Sequence, residues 1–251
     1  MKLVSDSFAD GAPIPEEFAF CKIDPKSRVA LSANRNPHLA WSEAPVGSRS
    51  FAIVCHDRDV PSSPEDVNQE DREIPSTLKR IDFFHWVLVD LPVTVTSIAA
   101  GEFSDKVTPK GKMGPAARNG ARQGINDYTA WFDSDPDMSG DYFGYDGPCP
   151  PWNDSLVHHY VFTVYALDVA RLPLMGRFGG ADARKVIEHH KLGQASITGT
   201  YTLNPRLAGQ RGGAPPRSCW CATASPTGTS TVASRARSTF RSTRKGAARP
   251  S

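Results

Sequence analysis

Residues 157–167 read VHHYVFTVYAL. β-branched and aromatic residues dominate the run, which reads as a buried strand. Side chains at i and i+2 share one face of a strand, so His158 and Tyr160 point the same way and His159 points the other way. A histidine inside such a run is costly unless it is hydrogen-bonded or used. Three earlier pieces repeat the pattern: CHDRDVP at 55–61, FHWV at 84–87 and DGPCPP at 146–151. Four such sites exceed what a core needs. They predict a polar pocket built on strands.

Working outward, strands are expected at 3–5, 38–41, 51–56, 84–91, 158–167 and 195–203. Val, Ile, Phe, Tyr and Trp fill them, and Pro, Gly, Asn or Asp clusters separate them. Only 181–190 has helical spacing, with Gly193 soon after as a stop signal. Many strands and few helices predict an all-β, single-domain β-sandwich with a few short peripheral helices. Two long loops, 62–82 and 102–148, lead directly into the pocket words and are expected at its rim.

The last segment, 208–251, is a different text. It holds eight Arg/Lys, no Asp or Glu, and almost no periodic apolar residues. It cannot bury enough surface to offset its ordering entropy, so a disordered basic tail is expected. Two origins stay open: out-of-frame sequence, or a genuine tail. Without those eight charges, the chain's 29 basic residues become 21 against 27 acidic ones, a net of −6 for 1–207. An acidic body gives no reason to expect nucleic acid as a partner.

No run of about 18 apolar residues exists, so no membrane span is expected. No apolar segment near Met1 reads as a signal peptide. Three cysteines in the body, widely spaced, argue against a disulfide framework and for reduced thiols in a cytoplasmic protein. No G-x-S-x-G elbow, H-E-x-x-H pair or complete calcium loop is present. Strand parity sends His56 and His159 away from Asp57 and His158, which disfavours a shared metal. No enzyme, cofactor or metal is therefore expected, a metal-dependent or other hydrolase being the least supported alternative.

The words NPHLAW (36–41), DRDVP (57–61), His85–Trp86, GYDGPCPP (144–151), HHYVF (158–162) and ITGTY (197–201) occur in an order that resembles the phosphatidylethanolamine-binding protein family, in its bacterial branch. This family is also known as the Raf-kinase-inhibitor-like proteins. The resemblance runs from about residue 2 to 207. It implies a ligand pocket lined by Asp57, His85, His158 and Tyr160, with Pro150 and Pro151 as a rigid wall and Gly147 and Pro61 beside it. It also implies a small anionic ligand or phospholipid head group, or else a protein partner such as a kinase or protease. A homodimer is left open. Arg58 replaces the family's usual proline, and His159 stands where the family often has Arg, which puts a supporting ion pair in doubt. Asp57 and His158 are the partners expected for His85. Donating imidazoles would serve a phosphate or carboxylate, and Asp57 a ligand amine.

Overall fold

A computed structural model describes residues 1–208. The expected tail lies outside the described residues, except Ala208, which closes a short helix. Ten strands carry the fold. They are β1 (Lys2–Val4), β2 (Cys21–Asp24), β3 (Arg28–Leu31), β4 (Leu39–Ser42), β5 (Ser50–Pro61), β6 (Arg80–Pro92), β7 (Ser97–Ile98), β8 (Arg122–Gln123), β9 (His158–Leu167) and β10 (Lys191–Tyr201). Helices are few: α1 (Tyr128–Trp131), α2 (Gly180–His190) and α3 (Pro205–Ala208).

An antiparallel sheet in the order β10-β9-β5-β6-β8 forms the centre. A smaller sheet, β1-β4-β7, and a β2-β3 hairpin complete the strands. Alternation decides which face each side chain serves. Phe51, Ile53 and Cys55 of β5, with Tyr160, Phe162, Val164 and Ala166 of β9, join the core shared with Leu3, Leu39, Trp41 and Ile98 of the small sheet. Ala52, Val54, Tyr165 and Leu167 face a second core, covered by Ala183 and Ile187 of α2 and by Leu172, Leu174 and Phe178. Burial of both faces is why β5 and β9 read as nearly continuous apolar runs. The sandwich is thus β on β on one side and helix on β on the other.

Strand β6 breaks the alternation once where it matters. Cys55 of β5 pairs with Trp86 and His56 pairs with Phe84, so His85 has no residue opposite. It is the extra residue of a β-bulge, a device that re-aims a side chain. Phe84 faces the second core while Trp86 stays in the first. Further along, Asp57 pairs with Phe83 but Val60 pairs with Ile81, so β5 bulges at 58–59. There the Asp59 amide donates to Asp57 Oδ1 (2.8 Å).

Two expectations need correction. Cys21 and Cys149 form a disulfide, so the body cysteines are not all reduced; among the described residues Cys55 is the free, buried thiol. The two sulfurs are 128 residues apart in the chain, and sequence spacing carries no information about a partner that the fold brings in. The β2-β3 hairpin, which carries Cys21, was also not expected from the sequence: Lys22, Asp24 and Arg28 interrupt its apolar pattern. Among the described residues no helix is long and apolar enough to cross a membrane.

Candidate functional site

The site begins where β5 and β9 run side by side. Asp57 and Tyr160 are register partners, and His158 lies two residues from Tyr160 on the same face. His158 Nδ1 is 2.6 Å from Asp57 Oδ2, and its Nε2 is 3.1 Å from Asp154 Oδ2. Arg80, the first residue of β6, grips Asp154 with both guanidinium tips, at 2.6 and 3.0 Å. A line of alternating charge results: Arg80, Asp154, His158, Asp57. Burial alone would strip the His158 proton. The Asp57 charge and the hydrogen bonds to Asp154 and Asp57 overcome it and push the imidazole up to about 9. Burial likewise works against both carboxylates, yet the His158 charge and hydrogen bonds hold Asp57 below its ordinary value, and hydrogen bonds from His158 and Arg80 do so for Asp154.

His85 is arranged differently. Its Nδ1 meets the Asp146 carbonyl oxygen at 2.7 Å, and the Asp146 amide donates back to the His85 carbonyl at 3.0 Å. A carbonyl can only accept, so Nδ1 carries the hydrogen. In the neutral ring Nε2 is then a bare acceptor. Burial lowers the His85 pKa, against the pull of the Asp57 charge, so neutral is the resting form. Asp146 itself is immobilised. Its carboxylate takes Asn34 Nδ2 (2.7 Å) and Asn126 Nδ2 (2.8 Å), with Lys112 Nζ at 2.9 Å.

Residues 146–154 form an arc that starts at a carbonyl on His85 and ends at a carboxylate on His158. Pro150, buried, and Pro151, half-buried, lie within it, and the disulfide ties Cys149 to β2. The Pro148 carbonyl accepts from the Phe20 and Cys21 amides. Gly147 has no room for a side chain, since a Cβ would stand 2.1 Å from the Phe18 carbonyl oxygen. Its own carbonyl accepts from Tyr128 Oη at 2.8 Å. Both long loops brace this arc. Asn153 Nδ2 donates to the carbonyls of Asp66 and Arg72 in the first loop, at 2.7 and 2.9 Å; Lys112 and Asn126 come from the second.

The His85 ring packs edge-on against Tyr160 (5.1 Å between centroids) and Tyr128 (5.6 Å), and tilted against Phe83 (5.0 Å). Among these aromatic walls the Tyr160 hydroxyl is fully buried and makes no close hydrogen bond; the Asp57 carboxylate is the acceptor beside it, reached through a weak hydrogen bond. Burial, then the nearby Asp57 charge, push its ionisation well up, so it remains an O–H donor.

Asp57, His158, Tyr160 and His85 thus converge, as their strands suggested. Gly147, Pro150 and Pro151 lie on the arc that joins the two histidines. Pro61 sits apart, at the end of β5 opposite Arg80, and none of the contacts described here is its own. The expected partnership of His85 with Asp57 and His158 is corrected: its hydrogen bond goes to the Asp146 backbone. His159 points away and bonds Asp59 Oδ2 through Nδ1 at 2.8 Å, so a histidine–carboxylate pair stands where an Arg pair was in doubt. His56 points away too, against Phe84. Sequence reasoning missed Asp154, Arg80, Asn34 and Asn126, which lie in loops or at a strand end without periodicity to mark them. Among the described residues no group of three or more His, Cys, Asp or Glu is placed to hold a metal ion.

The chain is thus a β-sandwich with one helical face and a buried polar cluster at its strand ends. The family model for phosphatidylethanolamine-binding protein matches residues 4–202, and the chain belongs to that family. It is 29% identical to UPF0098 protein YbhB of Escherichia coli over 202 residues, covering 80% of this chain and all of YbhB. It is 32% identical to UPF0098 protein Rv1910c of Mycobacterium tuberculosis, covering 80% of this chain and 70% of the relative. The crystal structure of E. coli YbcL, described as a new member of the mammalian PEBP family, superposes with a TM-score of 0.55 at 25% identity. That superposition covers 80% of this chain and 97% of YbcL.

Proposed function

We propose that the chain binds a small molecule through an acidic oxygen group, and a phosphate monoester above others. The observation that carries this reading is the buried Tyr160 hydroxyl, which makes no close hydrogen bond and only a weak one to Asp57, beside the neutral His85. A buried donor so weakly satisfied leaves part of its hydrogen-bond energy unrealised, and a ligand oxygen that accepts from Tyr160 supplies it. His85 Nε2, a lone pair, asks for a ligand O–H in return. A phosphate monoester, with a second pKa near 6, supplies both an accepting oxygen and a proton near neutrality. A carboxylate, with a pKa of about 4, has lost its proton by then. Moving the proton from phosphate to imidazole leaves the count unchanged, so the complex needs one proton in either form. The remaining lone pairs of Asp57 suit a ligand ammonium, as in a phosphoethanolamine head group.

Titration calorimetry with O-phosphoethanolamine and with acetate, at pH 6, 7 and 8, tests this. Affinity for the phosphate should fall about tenfold between pH 7 and pH 8, acetate should bind at least tenfold more weakly at pH 7, and Tyr160→Phe should cost tenfold or more. Equal affinity at pH 6 and 8 sinks the reading. A kinase or protease partner, the second class that the resemblance implies, would be separated by the same variants if they lost the ligand and kept the partner. The expected cytoplasmic site of action rested on reduced cysteines, and the Cys21–Cys149 bond removes that support, since such bonds persist in oxidising compartments.

A further inference from the structure

His158 is held by acceptors on both sides. Its two ring nitrogens lie 2.6 Å from Asp57 Oδ2 and 3.1 Å from Asp154 Oδ2. A neutral imidazole has one N–H and one lone pair. Either tautomer would aim that lone pair at a carboxylate oxygen. Protonating a carboxylate would relieve the clash, but neither is placed for it. Asp154 is gripped at both oxygens by Arg80 and accepts the Leu156 amide at 3.0 Å. Asp57 accepts the Asp59 amide at 2.8 Å. Every one of these donors favours the ionised form. The ring therefore carries two hydrogens and a charge.

This bears on how an acidic pocket residue can coexist with an anion. Asp57 is buried beside the Tyr160 hydroxyl, and its charge alone would repel a phosphate. The groups facing it are His158 from β9, His85 from β6 and, through His158, Asp154 from the arc and Arg80 from β6. His85 is neutral at rest. The neutralising charge must come from His158, and His158 keeps it only while Asp154 accepts from Nε2. Without Arg80, Asp154 would have to share the single imidazolium charge of His158 with Asp57. Arg80 also donates to the carbonyls of Asp59 (2.8 Å) and Pro75 (3.1 Å), which fixes it against the bulge of β5 and the first long loop.

We infer that Asp154 and Arg80 are positioning residues of the ligand site: they hold His158 as a standing imidazolium that cancels the charge of Asp57 and so lets an anion enter beside Tyr160. The inference rests on the phosphate reading above for its ligand, though not for its charge. His158, with both nitrogens occupied, is thereby removed from the ligand's own hydrogen bonds, and the pH response of binding is left to His85 and the ligand.

Long-range ¹H–¹⁵N spectra of the imidazoles in the full chain, from pH 5 to 10, decide it without any ligand. His158 should show the doubly protonated pattern at pH 7 and titrate well above 7. A neutral pattern at pH 7 overturns the inference whether or not phosphate binds. In Asp154→Asn the His158 midpoint should fall by at least one pH unit, and the affinity for O-phosphoethanolamine at pH 7 by tenfold or more. Arg80→Lys should keep most of both, and Arg80→Gln should lose part of both. An Asp154→Asn chain that folds with an unchanged His158 midpoint and unchanged affinity also overturns it. Should Asp154→Asn fail to fold, the wild-type titration and the Arg80 pair still decide. If wild-type protein ignores O-phosphoethanolamine while His158 is doubly protonated at pH 7, the phosphate reading fails and the standing charge remains.

Discussion

Two histidines, His85 and His158, sit in one buried site on neighbouring faces, yet one is neutral and the other charged. His158 is fully buried and His85 is 3% exposed, so burial does not separate them. Their partners do. His85 offers one nitrogen to a backbone carbonyl, whose partial charge is too small to hold a proton against desolvation. His158 offers both nitrogens to carboxylates, one of them anchored by Arg80. The comparison teaches that a buried histidine's charge is decided by what the second nitrogen meets. With environments pulling two such groups apart, one becomes the acceptor of a reacting or binding site and the other its counter-charge.

The sharpest way to break this contrast is His158→Leu. It leaves Asp57 and Asp154 buried without their shared cation, and such unpaired buried charge costs about 3–5 kcal/mol. Urea unfolding at pH 7 measures it, and a loss below 1 kcal/mol would mean the carboxylates are protonated or hydrated. Next comes the arc that holds both histidines in relation. Cys149→Ser should cost about 2–4 kcal/mol in stability under oxidising conditions, the usual worth of a disulfide. Adding reductant should bring wild type down to the variant, and no difference between them in either buffer would show the bond to be unformed in solution.

The pH dependence sharpens the comparison further, because the two histidines oppose one another. His158 is raised to about 9 from its ordinary value of 6.5. Its stabilisation is full below about pH 6.5 and is lost as pH rises through about 9. Between 6.5 and 8 the loss is about 2 kcal/mol, at 1.36 per pH unit. His85 is lowered by burial, so the unfolded chain takes up its proton first and stability falls as pH drops below 6.5. Asp57 and Asp154, both lowered, contribute fully above pH 4 and lose their contribution below it. Wild type should therefore be most stable near pH 6.5. His158→Gln should flatten the alkaline limb and His85→Gln the acid one, read as urea midpoints from pH 4 to 9. The smallest effect belongs to His159→Ala. Its side chain is more than one-third exposed, and ion pairs at such positions are worth about 0–1 kcal/mol. A cost like that of His158→Leu would place His159 in the site.

The legible part of this architecture was the part set by alternation. In β9 the period of two holds from His158 to Leu167, and reading it placed His158 and Tyr160 together and His159 outside. The same parity carried Asp57. His85 stood out as a histidine within an apolar run, but its partner was not legible, because a bulge resets the period and the acceptor is a backbone carbonyl 61 residues away. Asp154 and Arg80 stand in text rich in charge, where a carboxylate that holds a histidine looks like any solvated loop residue. The disulfide was hidden by sequence distance. Local periodicity is visible in a sequence; contacts made by loops that fold back are not.

The bulge at His85 has a further consequence, for change over generations. In a regular strand, turning a ring toward the pocket would have cost the neighbouring core position its side chain, since one residue in two must face away. The inserted residue separates these demands. Trp86 keeps its place in the core while His85 has no pairing opposite it to lose. A replacement there alters the chemistry beside Tyr128 and Tyr160 and leaves the pairing of β5 with β6 untouched. Position 85 is therefore where this sheet can change its buried side-chain chemistry with the fold insulated from the trial.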